Sequence, residues 1–436
     1  MRTGRLARMG SILFLLLTVV ACSNTATPSP TVVASSAGQV TPSPTPTPSP
    51  TVIASSIAPA TPSPSPSPTP SPRPMAPATV KPGPAMTKAR EGQAAVRLDD
   101  GRVLIMGGTV PFTGECAMAC IPPATASVEI YDARTGKFSP NGSLAQPRAG
   151  GQALLLNDGR VLVSGGTGEI GGDLSTIEIY DPAQRTSVVV KPPADIQQLP
   201  SYPTVVLLAD GRVLIAGGSY DQGSSTSNVT LIFDPASGGF SKGPLMAEPR
   251  QGATATLLDD GRVLIAGGDY YKGGYGYQNN NAELIDPSHP LSQSTLSVSQ
   301  DPVTSTLLSD GRVLVAGGGG YASGASCATP VASEVFDPRT EKFTPVGPMN
   351  TPRRGSAAIK IQDGRVLLFG GVDSNCAAVG TVEAFDPDSG TFQVIATGFP
   401  KITGFSATLL DDGEILIAAG VTSDWKQTAA SWFLKP

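Results

Sequence analysis

Beyond residue 78 the apolar positions come in short runs separated by the same turn residues, and the pattern repeats. Its most regular element is an Asp-Gly pair followed by an apolar run that ends in small residues. It reads DGRVLIMGG at 100–108, DGRVLVSGG at 158–166, DGRVLIAGG at 210–218 and 260–268, DGRVLVAGG at 310–318, DGRVLLFGG at 363–371 and DGEILIAAG at 412–420. Seven copies spaced 49 to 58 residues apart mark one supersecondary unit used repeatedly, which takes precedence over any local assignment. Each unit reads as four short strands. The first alternates small and apolar residues up to the turn, as in GATATLLDD at 252–260, and Asp-Gly supplies the positive-φ positions of a tight hairpin into the second. The Gly-Gly pair ends the second strand where backbones approach closely. After a loop of variable length comes a third strand with an Asp-Pro-like end, VEIYDARTGKF at 128–138 or SEVFDPRTEKF at 333–343, whose phenylalanine opens a short fourth strand. One such sheet cannot bury both its faces, so neighbouring sheets must pack face to face around a ring.

The Gly-Gly doublet, the (V/I)E(I/V/A)(Y/F)DP strand and a GPxxxxPRxG link between units resemble kelch repeats over about residues 79–436. The resemblance implies an all-β, seven-bladed kelch-type β-propeller. The last unit runs out at SWFLKP (431–436), which aligns with a third strand and leaves blade seven without its outer strand. At the other end, Gly83 to Gly92 align without a gap on Gly243 to Gly252, so the preceding Thr79–Pro82 should close blade seven. Charges point the same way. In blades one to six the second strand opens with Arg (102, 160, 212, 262, 312, 365) and the third ends with Asp (132, 181, 234, 286, 337, 386). An antiparallel ladder sets these opposite each other, and in blade seven both invert, to Glu414 and Lys435. The pairs are expected to be structural, each worth about 0–1 kcal/mol.

The first 77 residues have another character. Arg2, Arg5 and Arg8 precede an apolar run from Met9 to Val20, built like an export signal and too short to span a membrane comfortably. It ends in Val19-Val20-Ala21-Cys22, which resembles the lipobox of bacterial lipoproteins; that resemblance implies cleavage after Ala21, lipidation of Cys22 and an extracytoplasmic, membrane-anchored location at the cell surface. Residues 22–77 are rich in Pro, Ser, Thr and Ala, uncharged until Arg73, with PSPTVVASS (28–36) echoed by PSPTVIASS (48–56). Such a segment cannot bury a core. Its 16 prolines favour extended polyproline II, which over 55 residues reaches about 170 Å at about 3.1 Å per residue. It reads equally as a stalk across a wall layer, with sugar on its Ser and Thr, or as a linker of no set length.

Composition removes several chemistries. Glycine (50) and proline (42) make up about a fifth of the 436 residues, aromatics 6% and charged residues 15%, a balance that argues against long helices. The single histidine, His289, sits in the third-strand turn of blade four, so histidine zinc sites, the two-imidazole copper site of galactose oxidases and Ser-His-Asp catalysis are excluded. No cofactor is expected. Without the three leader arginines the chain carries 27 basic and 35 acidic residues, a formal charge of −8, which makes nucleic acid and anionic lipid surfaces poor partners. The only membrane contact expected is the lipid anchor, and the propeller is expected to be monomeric. Cys116 and Cys120 share the blade-one loop, while Cys327 and Cys376 lie in equivalent loops of blades five and six; neighbouring positions favour the disulfides Cys116–Cys120 and Cys327–Cys376.

In this strand order the Asp-Gly turns lie on one rim, and the loops after Gly-Gly lie on the other with the links between units. Function in such folds belongs to the variable rim. Seven of nine tyrosines fall there (Tyr202, Tyr220, Tyr270, Tyr271, Tyr275, Tyr277, Tyr321), as does Trp425, and the links add Arg90, Arg148, Arg250 and Arg353. Aromatic faces with planar cationic donors suit a carbohydrate or an extracellular protein or peptide. Two plainer roles stay open at this point: tyrosines that merely cover the rim, and arginines that cap strand carbonyls inside the ring. Kelch-like propellers also include sialic acid mutarotases, which need only an acid and a base around a sugar; Glu115, Glu169 or Asp269 with the rim arginines could serve, but nothing in their spacing selects them. The reading is a noncatalytic binding module, with a metal-independent carbohydrate-active enzyme as the alternative.

Overall fold

The computed structural model describes residues 74–436, apart from 113–121, 170–171, 194–195, 197–198, 221–224, 273–274, 290–292, 298–303 and 319–332. The leader, Cys22 and almost all of the Pro/Ser/Thr-rich segment lie outside these residues. The described chain is all-β, without a helix, and forms seven four-stranded antiparallel sheets arranged as a seven-bladed β-propeller. In blade one the strands run Ala94–Arg97, Val103–Met106, Ser127–Asp132 and Lys137–Ser143, from the axis outward. The innermost strands contact one another around the ring, and that of blade seven (Ser406–Leu409) contacts that of blade one.

Blade seven closes as the alignment predicts. Its three C-terminal strands are joined by Thr79–Pro82, paired antiparallel to Ser431–Lys435 with Thr79 opposite Lys435 and Pro82 opposite Trp432. Ahead of it, the Ala78 N–H donates to the Ile395 carbonyl of blade six at 2.8 Å, and Met75 packs against the cluster shared by blades six and seven.

The apolar runs have a simple cause. Each second strand is buried on both faces, so it reads as continuous hydrophobics instead of alternating. In blade one Leu104 and Met106 join Val161, Val163 and Tyr180 of blade two, while Val103 and Ile105 join Leu416 and Ala418 of blade seven. One such cluster lies at each of the seven blade interfaces. A fully buried Leu or Ile contributes about 1.5–3 kcal/mol, so these interfaces hold the ring together.

The hairpin turns differ from expectation. Only the glycine of Asp-Gly takes positive φ (Gly101, +83°); the Leu98 carbonyl accepts the Gly101 N–H, and the Leu98 N–H donates to Arg102 O. This is a type I turn closed by a left-handed glycine, which places Asp100 at a right-handed position free to receive the Arg102 N–H. The cross-strand ion pairs are corrected accordingly. Arg102, Arg160, Arg212, Arg262 and Arg312 bind the aspartate two residues earlier at 2.6 to 2.7 Å, and Arg365 does the same with Asp363. Asp132 instead turns into its own loop, accepting the Arg134 N–H and pairing with that side chain. In blade seven the partner of Glu414 is Lys81 of the closing strand, at 2.7 Å, and not Lys435. The arginines also reach the next blade: Arg160, Arg262 and Arg312 donate to the carbonyls of Pro235, Pro338 and Pro387.

Candidate functional site

The four link arginines lie inside the ring, at most 2% exposed, and present no donor to a ligand at the rim surface. Each is held by a glutamate in the third strand of its own blade. Arg90 pairs with Glu129, Arg250 with Glu283 and Arg353 with Glu383 at 2.6 to 2.7 Å, and Arg148 pairs with Glu178. The same guanidinium donates to the carbonyl of the first glycine of the doublet, Gly107, Gly165, Gly267 or Gly370. Each glutamate also accepts two link amides, those of Thr87 and Lys88 for Glu129 and of Ala247 and Glu248 for Glu283. The backbone carbonyl of the arginine faces the other way. Arg148 O accepts from Gly108 and Arg250 O from Gly218, both in the preceding blade, so one residue bolts two blades together. Burial pulls the Arg90 and Arg353 guanidinium groups below their ordinary pKa, against the opposing pull of Glu129 and Glu383.

Above these pairs, in six blades the residue after the link position, which is Arg except for Pro200 in blade three and Ile402 in blade seven, bridges the residue after the small-residue doublet: Glu91 with Thr109, Ala149 with Thr167, Ser201 with Ser219, Gln251 with Asp269, Arg354 with Val372, and Thr403 with Val421. This collar surrounds the mouth of the central channel. Three of its members carry charge. Asp269 is half-buried, and loss of hydration pushes its pKa up to about 6, resisted only by the positive field of Arg354. Asp269 belongs to blade four and Arg354 to blade six, so that field comes from two blades away. Among the described residues the Asp269 carboxylate accepts no side-chain hydrogen bond. Burial also raises Glu91, which accepts from Gln427 Nε2 at 3.1 Å and from Thr109, and raises Asp173. Sequence reasoning singled out Asp269 but not the collar, because its charges occur singly, at positions that are Ala, Ser, Thr, Gln or Val in the other described blades.

The rim aromatics divide. Tyr202 is partly buried at φ +50°; burial, with Asp173 nearby, pushes its hydroxyl up to about 12 although Thr167 bonds it. Tyr220 is also partly buried, in a hairpin of Ser219–Tyr220 with Ser225–Thr226. Asp269–Lys272 and Tyr275–Gln278 form a second hairpin. On one side of it Tyr270 stacks on Tyr277 with centroids 5.1 Å apart, and Tyr275 (67% exposed) and Tyr277 (44%) face solvent. Trp425 is exposed at a positive-φ turn position in blade seven. Tyr321, Cys116, Cys120, Cys327 and Glu115 lie outside the described residues; Cys376 is disulfide-bonded, and Glu169 is exposed. His289 is on the opposite rim, its Nδ1 2.6 Å from Asp286. Among the described residues no group of three or more His, Cys, Asp or Glu side chains could hold a metal ion.

No family model matches the chain, and no curated protein is similar to it in sequence. In structure it is similar to the solved "Structure of YjhT", with a TM-score of 0.50 over 72% of this chain and 99% of that one, at 13% sequence identity. A likeness at that identity carries the propeller fold and nothing about chemistry.

Proposed function

We propose that this chain is an exported lipoprotein, anchored through Cys22 and carried on its Pro/Ser/Thr-rich segment, whose kelch-type propeller holds a carbohydrate or protein ligand at the Gly-Gly rim without turning it over. The observation that supports the binding reading best is the charged collar. A half-buried carboxylate with no side-chain hydrogen bond, in the field of a guanidinium two blades away and beside tyrosine-bearing hairpins, is a recognition arrangement that the ring itself does not need. The buried link arginines are not part of it. Screening the purified protein on glycan and peptide arrays, followed by product analysis of any hit, tests the reading; a hit that is chemically changed during incubation refutes it. Metabolic labelling with a fatty acid tests the anchor, and an unlabelled mature protein counts against it. Non-reducing peptide mapping tests the pairs Cys116–Cys120 and Cys327–Cys376.

One observation favours the second reading, a metal-independent enzyme such as a sugar mutarotase. Asp269, with its pKa near 6, exchanges a proton readily near neutral pH, as a general acid or base must. The same product analysis separates the two.

A further inference from the structure

We propose that blade four carries a sugar-binding row at the Gly-Gly rim, in which Gln251, Asp269 and Gln278 together hydrogen-bond the hydroxyls of a glycan. The proposal rests on the binding reading above and names the ligand class and the residues. Gln251 and Asp269 exchange both backbone hydrogen bonds, each at 2.9 Å, and Asp269 stands opposite Gln278 in the rim hairpin. Residues directly opposite each other in an antiparallel ladder point to the same face, so these three side chains stand side by side. All three are partly exposed. The first pair is the wide, hydrogen-bonded kind and the second the narrow kind, so the row is about 10 Å long from Cα to Cα, more than one pyranose ring can span.

Six blades lay such a three-residue row across the rim, and the other five serve as controls. In blade three the row is Ser201, Ser219 and Thr226, and in blade six Arg354, Val372 and Ala378, so the fold needs no set of amides and carboxylates there. In blade one Glu91 is engaged by Gln427 and Thr109. Blade four differs: every member is an amide or a carboxylate, and among the described residues none of the three side chains makes a hydrogen bond or ion pair. Gln251 Oε1 is even buried without a partner. Nothing in the protein fixes that amide, so either of its ends can turn to a ligand. Polar groups left unmade in this way cost stability, which a ligand bringing both donors and acceptors restores. Hydroxyls bring both. A cation would satisfy Asp269 alone, leave the amide donors unmatched and meet the positive field of Arg354, which already reaches Asp269; a small anion would oppose the carboxylate.

The experiment is titration calorimetry on the whole protein with cello-, manno- and chito-tetraose, their monosaccharides, a sialylated oligosaccharide and a peptide pool. At least one oligosaccharide is expected to bind, and more tightly than a monosaccharide, which cannot reach the whole row. Asp269→Ala and Gln278→Ala should each weaken it tenfold or more and Gln251→Ala several-fold, while Asn280→Ala, at an exposed position beyond the row, leaves it unchanged. Melting curves show whether the variants fold; if Asp269→Ala melts early, Gln278→Ala at the hairpin end of the row decides. Oligosaccharide binding indifferent to Asp269 and Gln278 overturns this row, as does binding of the peptide pool alone; in both cases the binding reading survives. No binding to any probe overturns both.

Discussion

The Arg–Glu pairs are the most consequential side chains of this ring, and four of its blades carry them. Blades one, two, four and six have both partners. In blade three the equivalent positions are Pro200 and Leu231, and in blade seven Ile402 and Trp432, so both partners are absent there, whereas blade five keeps Glu334 with Gln300 at the arginine's position in the sequence. Removing one partner of a buried pair strands a charge at a cost of about 3–5 kcal/mol. Arg250→Met should lose that much in urea denaturation. Adding Glu283→Gln, which removes the stranded charge and keeps an acceptor for the link amides, should recover about 1 kcal/mol or more; no recovery would show that the charge is not what hurts. Asp269 gives a pH prediction. Its folded pKa, about 6, lies above its unfolded value, so the stability contributed by its protonated form is complete only below that unfolded value and is lost as pH rises through 6. Asp269→Asn should therefore stabilise the protein by up to about 2 kcal/mol at pH 8 and not at pH 4, as read from melts across that range. In the sequence the glutamate is visible as the recurring E of the third strand, but its partner stands 30 to 39 residues upstream, and only the fold brings them together.

At the scale of the element, local sequence was most legible where backbone sterics decide. The turn between third and fourth strands needs a left-handed residue four positions after its aspartate. Gly136, Gly238 and Gly390 satisfy this directly, while Arg185 (φ +61°) and Glu341 (φ +55°) adopt it under strain. Replacing Arg185 with Gly should stabilise the protein by about 0.5–1 kcal/mol, the relief exceeding the added entropy of the unfolded chain, and Gly136→Arg should do the opposite in the same thermal assay. The second glycine of the doublet is stricter. A Cβ on Gly268, at φ +90°, would lie 2.7 Å from the Gln251 carbonyl oxygen, so Gly268→Ala should cost on the order of 1–3 kcal/mol. Charged side chains were less legible. Arg102 stands opposite Asp132 in the ladder yet binds Asp100, because Asp132 is already engaged by its own loop and Asp100 is two residues away in the same turn.

At the scale of the whole molecule, the seven interfaces are equivalent except where the chain ends meet. Thr79–Pro82 covers the edge of Ser431–Lys435, and Ala78 and Val80 pack with Leu434 against blade six. A chain starting at Gly83 should melt earlier and associate with rising concentration on size-exclusion chromatography, since an uncovered edge strand invites pairing. A chain starting at Pro74 should melt like the full-length protein. The sequence by itself determined the number of blades, the four strands of each and the closing strand, because Asp-Gly turns, Gly-Gly strand ends and doubly buried apolar runs are set by local sterics and by burial that recurs with the repeat. Only the tertiary structure decided which charges meet: that the link arginines turn inward to glutamates, that Glu414 finds Lys81, and that Asp269 comes within the field of Arg354. Those partners lie tens to hundreds of residues apart, and their encounter depends on closure of the ring, which no local pattern encodes.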